Sequence, residues 1–336
     1  MQLEGLKGFL PIDTGVVDDR PGLWWLDMHD ARLAEPFFQQ TVERFRLEHP
    51  ERSPSFAEFH VLPQLEKSFE SIKPTGFIFH SSRCGSTLLS NAVRTVNDSI
   101  VISEANAVDQ LVARFITDDE PREVKRAIYS VLLRAVVAAF GQKLKGNEQQ
   151  LIIKFSCSSV ARLDQILRIW PNVPWLFVYR DPLETIVSNL TSPPGWLLDN
   201  DRRVLASLNN LTSTAIAAMD MTELCARSIG SFYSIASRLA NRKSMLLNYA
   251  QLSDRLMLGV LKFFGIAPTD TEKDSIALVT KSYSKDNTGR TFEADSPAKR
   301  QQASSRVREM AAKWSYPYYE ALESKRQDLE RVSKVD

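Results

Sequence analysis

The stretch Phe77-Ile78-Phe79-His80-Ser81-Ser82-Arg83-Cys84-Gly85-Ser86-Thr87 runs an apolar segment straight into small, hydroxyl-bearing and cationic residues, and a helical pattern follows at once. This layout suits an anion cradle. Gly85 lets the backbone turn tightly, successive N–H groups converge on one centre, and the helix amino terminus adds partial positive charge. Arg83 supplies a fixed cation with a bidentate fork, and Ser86 and Thr87 supply hydroxyl donors. The plainer alternative is a strand-to-helix turn with solvated polar residues. A nucleotide-hydrolysing loop of the GxxxxGK[ST] type does not fit, because no lysine precedes Ser86.

A second anion-binding pair follows in WLFVYRDPLETIVSNL, where Arg180 ends an apolar run and Ser188 lies eight residues on, about two helical turns later. Both can face one crevice. Ligands of open α/β sheets sit outside the carboxyl ends of the strands, so Arg83 and Arg180 meet there if their two strands are neighbours. Taken singly, Arg180 reads equally well as a surface ion-pair residue.

Five short runs rich in β-branched and aromatic residues must position these groups: 76–80 (GFIFH), 99–103 (SIVIS), 151–155 (LIIKF), 174–179 (PWLFVY) and 244–249 (SMLLNY). Their near-continuous apolarity is what strands covered on both faces of a parallel sheet require, and helical patterns follow them. The fold class is therefore α/β, with a central parallel sheet of about five strands. Pro121 and Pro182 fall where a first helical turn tolerates proline, and Gly265 where a helix end favours glycine. Residues 1–70 differ: a strand at 23–28 (LWWLDM), a helix at 36–47 and a proline-punctuated connection predict an N-terminal extension packed on a main domain at 71–336. Trp24 and Trp25 read as anchors of that extension. The tail from about residue 320 reads as a charged helix free to fray.

Apolar residues at 43%, charged residues at 25% and a net charge of +1 are ordinary globular values and argue against broad nucleic-acid or anionic-membrane binding. Cys84, Cys157 and Cys225 are widely spaced and show no zinc-type pattern, which suits a reducing compartment. The amino terminus lacks a basic patch followed by an apolar core, and the most hydrophobic run, 128–140, is interrupted by Arg134. The expectation is a cytoplasmic protein without a membrane span.

The phosphate loop, the segment 180–188 (RDPLETIVS) and the later 246–266 (LLNYAQLSDRLMLGVLKFFGI) together resemble the sulfotransferase superfamily over roughly residues 74–268. The family's 5′-phosphosulfate loop, PKSGTT or PRSGTT, is similar to Ser82-Arg83-Cys84-Gly85-Ser86-Thr87. Its 3′-phosphate motif, an Arg with a Ser eight positions on, is similar to Arg180 and Ser188. Its YEDL…FLG segment is similar to 248–252 (NYAQL) and Phe263-Phe264-Gly265. The resemblance implies a P-loop NTPase-like three-layer fold and, as co-substrate, 3′-phosphoadenosine 5′-phosphosulfate, with no metal.

Two departures bear on mechanism. Many members carry a catalytic histidine in a Lys-Thr-His stretch, and here the stretch reads Lys154-Phe155-Ser156. Another branch with Arg in its phosphate loop takes its base from a glutamate after the second strand, a place filled by Glu104, 21 residues beyond Arg83. The resemblance thus implies Glu104 as base, with Arg83 and Lys154 neutralising charge on the transferring group. A dipole-stabilised carboxylate at a helix start is the plainer account of Glu104. His80 reads as a supporting polar residue. The usual Arg-Lys-Gly triplet is absent, leaving Lys285, Arg290, Lys299 and Arg300 as undistinguished candidates for closing over the 3′-phosphate. The loop at 191–200 (TSPPGWLLDN), with Trp196, is placed to line an acceptor pocket. The expected reaction is sulfuryl transfer to a hydroxyl or amine of a small-molecule or peptide acceptor. The alternatives are a P-loop kinase and a non-catalytic nucleotide-binding protein.

Overall fold

A computed structural model describes residues 7–64, 70–118, 121–199, 201–280 and 296–332. Lys285 and Arg290 lie outside the described residues. Strands β1 (Phe9–Val17), β2 (Arg20–Asp27) and β3 (Ser55–Glu58) form an antiparallel sheet in that order. Strands β4 (Gly76–His80), β5 (Ser99–Ser103), β6 (Gln150–Lys154), β7 (Trp175–Tyr179) and β8 (Ser244–Asn248) form a second sheet. Its order is β5-β6-β4-β7-β8, and every pairing is parallel.

Alternate residues of each strand enter different cores. Ile78, Val101, Ile152, Val178 and Leu247 face the helices Ser86–Arg94, Asp254–Phe263 and Asp270–Thr280. Phe77, Phe79, Ile153, Phe177 and Tyr179 face the helices Asn106–Thr117, Arg122–Phe140, Pro182–Thr191 and Met221–Leu239. A strand sandwiched this way has no polar face to show, which explains its unbroken apolarity. The chain is a three-layer α/β protein built around five parallel strands.

The amino-terminal sheet, the helix Phe38–Glu48 and the turn Phe59–Gln64 feed the second of these cores through Leu10, Trp25, Phe45 and Leu62. Trp25 is fully buried, whereas Trp24 is half-buried against Phe56 at 5.1 Å. The terminal helix Tyr316–Val332 is anchored rather than free to fray: Leu322 is fully buried, and Glu323 accepts from Asn248 (2.7 Å), Arg326 (2.8 Å) and the Tyr179 hydroxyl. Sequence periodicity exposes the helix's charges but not these long-range partners.

Strand β4 is central, with β5 and β6 on one side of it and the later β7 and β8 on the other. The carboxyl ends of β4 and β7 therefore flank a topological switch point, where such sheets open a crevice. Arg83 and Arg180 follow those two ends.

Candidate active site

The crevice is a cleft of about 840 Å³. It is lined by the whole loop from Ser82 to Thr87 and by His80, Glu104, Arg180 and Ser188, with Lys299 on its rim. Residues separated by a hundred positions in sequence thus share one space. Lys154 does not line it.

The loop after β4 is held in a costly shape. Ser82 and Arg83 adopt φ of +71° and +50°, and Gly85 adopts +83°. Non-glycine residues in this region cost on the order of 1 kcal/mol each and persist where surrounding structure imposes them. The Ser82 N–H donates to His80 Nδ1 (3.1 Å), its hydroxyl donates to Asn189 Oδ1 (2.9 Å), and the Cys84 thiol donates to the Val178 carbonyl (3.1 Å). A Cβ on Gly85 would stand 2.6 Å from Leu252 Cδ1 and 2.9 Å from Tyr249 Cδ2. The segment after β8 therefore presses on the loop and makes glycine obligatory there.

Arg83 reaches across the mouth of the cleft, where Nη2 donates to the Ser192 carbonyl (2.5 Å) and hydroxyl (3.1 Å). Its Nε is buried without a hydrogen-bond partner. His80 Nε2 is buried in the same wall and lies 3.3 Å from Glu104 Oε1. A buried guanidinium donor left unsatisfied beside the cleft is what a site made for an oxyanion presents before its ligand arrives.

Glu104, at the carboxyl end of β5, also has a left-handed backbone, φ +50°. Its N–H donates to the Lys154 carbonyl (2.7 Å), and its Oε1 accepts from Lys154 Nζ and lies 3.3 Å from His80 Nε2. Burial works against the charge, but the Lys154 ammonium and then His80 outweigh it and hold the carboxyl well below the usual carboxylate range. Lys154 itself is 0% exposed at its side chain, its ammonium 4.9 Å from the Phe37 ring centre. Charge neutralisation at the transferring group, expected of Lys154, does not fit this placement: its cation is spent on Glu104 beneath the cleft floor. Phe37 brings the amino-terminal segment into the cleft wall.

On the β7 side, Arg180 is buried, donates from Nε to Glu184 Oε2 (2.7 Å) and lies 4.2 Å over the Tyr249 ring. Asp181 caps the following helix by accepting from Leu183 N (3.0 Å) and Glu184 N (3.2 Å), which fixes Arg180 at the cleft edge and Ser188 two turns along. Arg300 also donates to Glu184 (2.7 Å) and lies 3.7 Å from Asp181. Of the four late cations, Lys299 faces the cleft and Arg300 turns to these carboxylates.

Asp109 is a site residue that motif reasoning missed. Its Oδ1 accepts from Ser156 N and Ser159 Oγ, both at 3.1 Å, and it borders both the cleft and a side cavity of about 190 Å³ that shares Trp196. Burial, aided by the Glu104 charge, pushes its carboxyl up to about 6. The available signal was an acid in the first turn of the helix that opens two residues after Glu104. Phe37 had no signal, since nothing local ties it to Lys154. Among the described residues, no group of three His, Cys, Asp or Glu is arranged to hold a metal ion.

No protein-family model matches the chain, and no curated protein matches it in sequence. Solved structures similar to it include sulfotransferases. A sulfotransferase from Alicyclobacillus acidocaldarius has 14% identity and a TM-score of 0.42, over 76% of this chain and 96% of that one. The sulfotransferase domain from the curacin biosynthetic pathway has 14% identity and a TM-score of 0.42, over 72% and 98%. Mouse sulfotransferase SULT7A1, solved with PAP, has 14% identity and a TM-score of 0.37, over 82% and 93%. At such distances the functional argument rests on the residues of the cleft.

Proposed function

We propose that this chain is a sulfotransferase that moves a sulfuryl group from 3′-phosphoadenosine 5′-phosphosulfate to a hydroxyl or amine acceptor. The observation that carries this reading is the single cleft uniting the Ser82–Thr87 loop, Glu104, and the Arg180–Ser188 pair. A kinase reading is disfavoured because Gly85, not lysine, precedes Ser86.

The loop N–H groups, Ser86, Thr87 and Arg83 hold the 5′-phosphosulfate. Arg83 exchanges its neutral Ser192 partners for an anion, and charge-assisted bonds are roughly twice as strong as neutral ones. Arg180 keeps one edge on Glu184 and, with Ser188 and Lys299, takes the 3′-phosphate. Glu104 accepts the acceptor's proton as its oxygen or nitrogen bonds to sulfur in line. The sulfur–oxygen bond to the 5′-phosphate breaks, and adenosine 3′,5′-bisphosphate leaves. His80, whose Nδ1 is engaged by the Ser82 N–H, bears its proton on Nε2 and holds the Glu104 carboxylate, 3.3 Å away, in place. Lys154 acts through Glu104 as a positioning residue.

Asp109 offers a second reading of the proton acceptor, because a carboxyl at about 6 is better matched to neutral pH than one held far lower. The acceptor, a small molecule or a peptide, enters from the side bordered by Asp109, Ser158 and Trp196. The reading places the protein in the cytoplasm, with Cys84, Cys157 and Cys225 as buried thiols. Among the described residues, no helix is long and apolar enough to cross a membrane. An acceptor panel incubated with isotopically labelled donor, read by mass shift, tests the reading. Magnesium-dependent ATP turnover without sulfuryl transfer would sink it.

A further inference from the structure

Between the end of the helix Asn106–Thr117 and the first turns of the helix Arg122–Phe140 lies a third cavity, of about 310 Å³, that shares no residue with the donor cleft. Its walls carry four cations: Arg122, Lys125, Arg126 and Arg162. Among the described residues, no carboxylate lies within ion-pair distance of any of them. Arg162 donates to the Ala161 carbonyl (3.1 Å) and the Ser207 hydroxyl (2.9 Å), and Lys125 donates to the Asp118 carbonyl (2.8 Å), so these partners are neutral. Arg126 Nε is buried with no hydrogen-bond partner.

This arrangement breaks two local rules at once. Arg122, Lys125 and Arg126 stand at i, i+3 and i+4 on one face, where like charges repel. They also occupy the first turns of a 19-residue helix, where the macrodipole favours anions and disfavours cations. Glu123, the acid of that turn, is one position from Arg122 and does not border the cavity. Arg162 adds a further cation from a different segment. Burial lowers its proton affinity, the field of Asp164 opposes this, and Arg122 and Arg126 lower it further. Among the described residues these cations have no ion-pair partner, and positions that break local rules in this way point to an anionic ligand.

We propose that this cavity is a second oxyanion site, which binds the phosphate or sulfate group of an organic ester outside the donor cleft. Guanidinium forks match such groups bidentately, and Arg126 Nε has a free donor for one. The Gln165 amide adds a polar group, while Phe115 and Ile116 give apolar surface beyond what a bare tetrahedral ion would touch. The inference stands on these residues alone and does not depend on the identity of the donor.

Calorimetric titration with phenyl phosphate and with inorganic phosphate, at fixed ionic strength in chloride, tests it. The donor cleft also takes phosphate groups, so Arg122→Gln/Arg126→Gln and Arg83→Gln are titrated beside the parent protein. The exposed or half-buried arginines of the double variant tolerate glutamine, and a thermal melt checks that the fold persists. The double variant should lose about tenfold or more in affinity for one binding event and retain the event that Arg83→Gln weakens. Tighter binding of phenyl phosphate than of inorganic phosphate supports an ester, and equal binding would overturn that part of the proposal. Unchanged affinity and stoichiometry in the double variant, with loss only in Arg83→Gln, would overturn the proposal.

Discussion

Lys154 donates to Glu104 from a position with no side-chain exposure, so the cleft meets the carboxylate and never the ammonium. Removing one member of a buried pair leaves an uncompensated charge and costs about 3–5 kcal/mol. Lys154→Met should therefore destabilise the fold by an amount in that range, and Lys154→Met/Glu104→Leu should recover part of it. The Lys154→Met change should also raise the Glu104 carboxyl and shift the acid limb of the pH–rate profile upward. Chemical denaturation and kcat/KM across pH check both outcomes, and a profile that does not move would remove Lys154 from its positioning role.

Glu104→Gln keeps shape and hydrogen bonding but removes proton-accepting power, so donor binding should persist while kcat falls by about 10²–10⁴. His80→Asn should cost less in the same assay. If Asp109→Asn instead abolishes an acid limb near pH 6, the base is Asp109 and Glu104 supplies only charge.

Asp109 also sets a pH dependence of stability whose sign is the reverse of an ion-paired acid. Its folded-state carboxyl at about 6 exceeds the ordinary 3.8, so between those values the folded protein binds more protons than the unfolded chain. Its contribution to stability therefore falls as pH rises through that window. Asp109→Asn, which keeps an oxygen for Ser156 and Ser159, should be more stable than the parent by on the order of 1–3 kcal/mol above pH 6. It should show no advantage below pH 3.8. Urea unfolding at several pH values checks the crossover.

All five parallel strands were legible, because a strand covered on both faces has to be apolar throughout, and the runs around Phe77, Val101, Ile152, Phe177 and Leu246 are. That Arg83 and Arg180 border one cleft was legible once β4 and β7 were placed side by side. Strands β1 and β3 were not, since Phe9–Val17 mixes proline, aspartate and glycine with its apolar residues. The burial of Lys154 could not be read either, for its partner Phe37 comes from a segment 117 positions away in sequence. Lys299 and Arg300 are adjacent in one polar run, and only packing against Glu184 separates their directions.

Gly85→Ala should damage ligand binding more than the fold. A side chain at φ +83° is strained by about 1–2 kcal/mol, and its Cβ would displace Leu252 and Tyr249 from the loop. Donor-product affinity measured by calorimetry should drop at least about tenfold while the thermal midpoint shifts by only a few degrees. Unchanged affinity would show that the loop does not cradle the anion.

Selection of a 3′-phosphorylated adenine nucleotide by the Arg180–Ser188 side of the cleft is read by calorimetry with matched nucleotides. Adenosine 3′,5′-bisphosphate should bind the parent protein about 10–100-fold more tightly than adenosine 5′-monophosphate, and Ser188→Ala/Lys299→Ala should erase most of that difference. Equal affinities for the two nucleotides in the parent, or a preference for ATP with magnesium, would contradict the account.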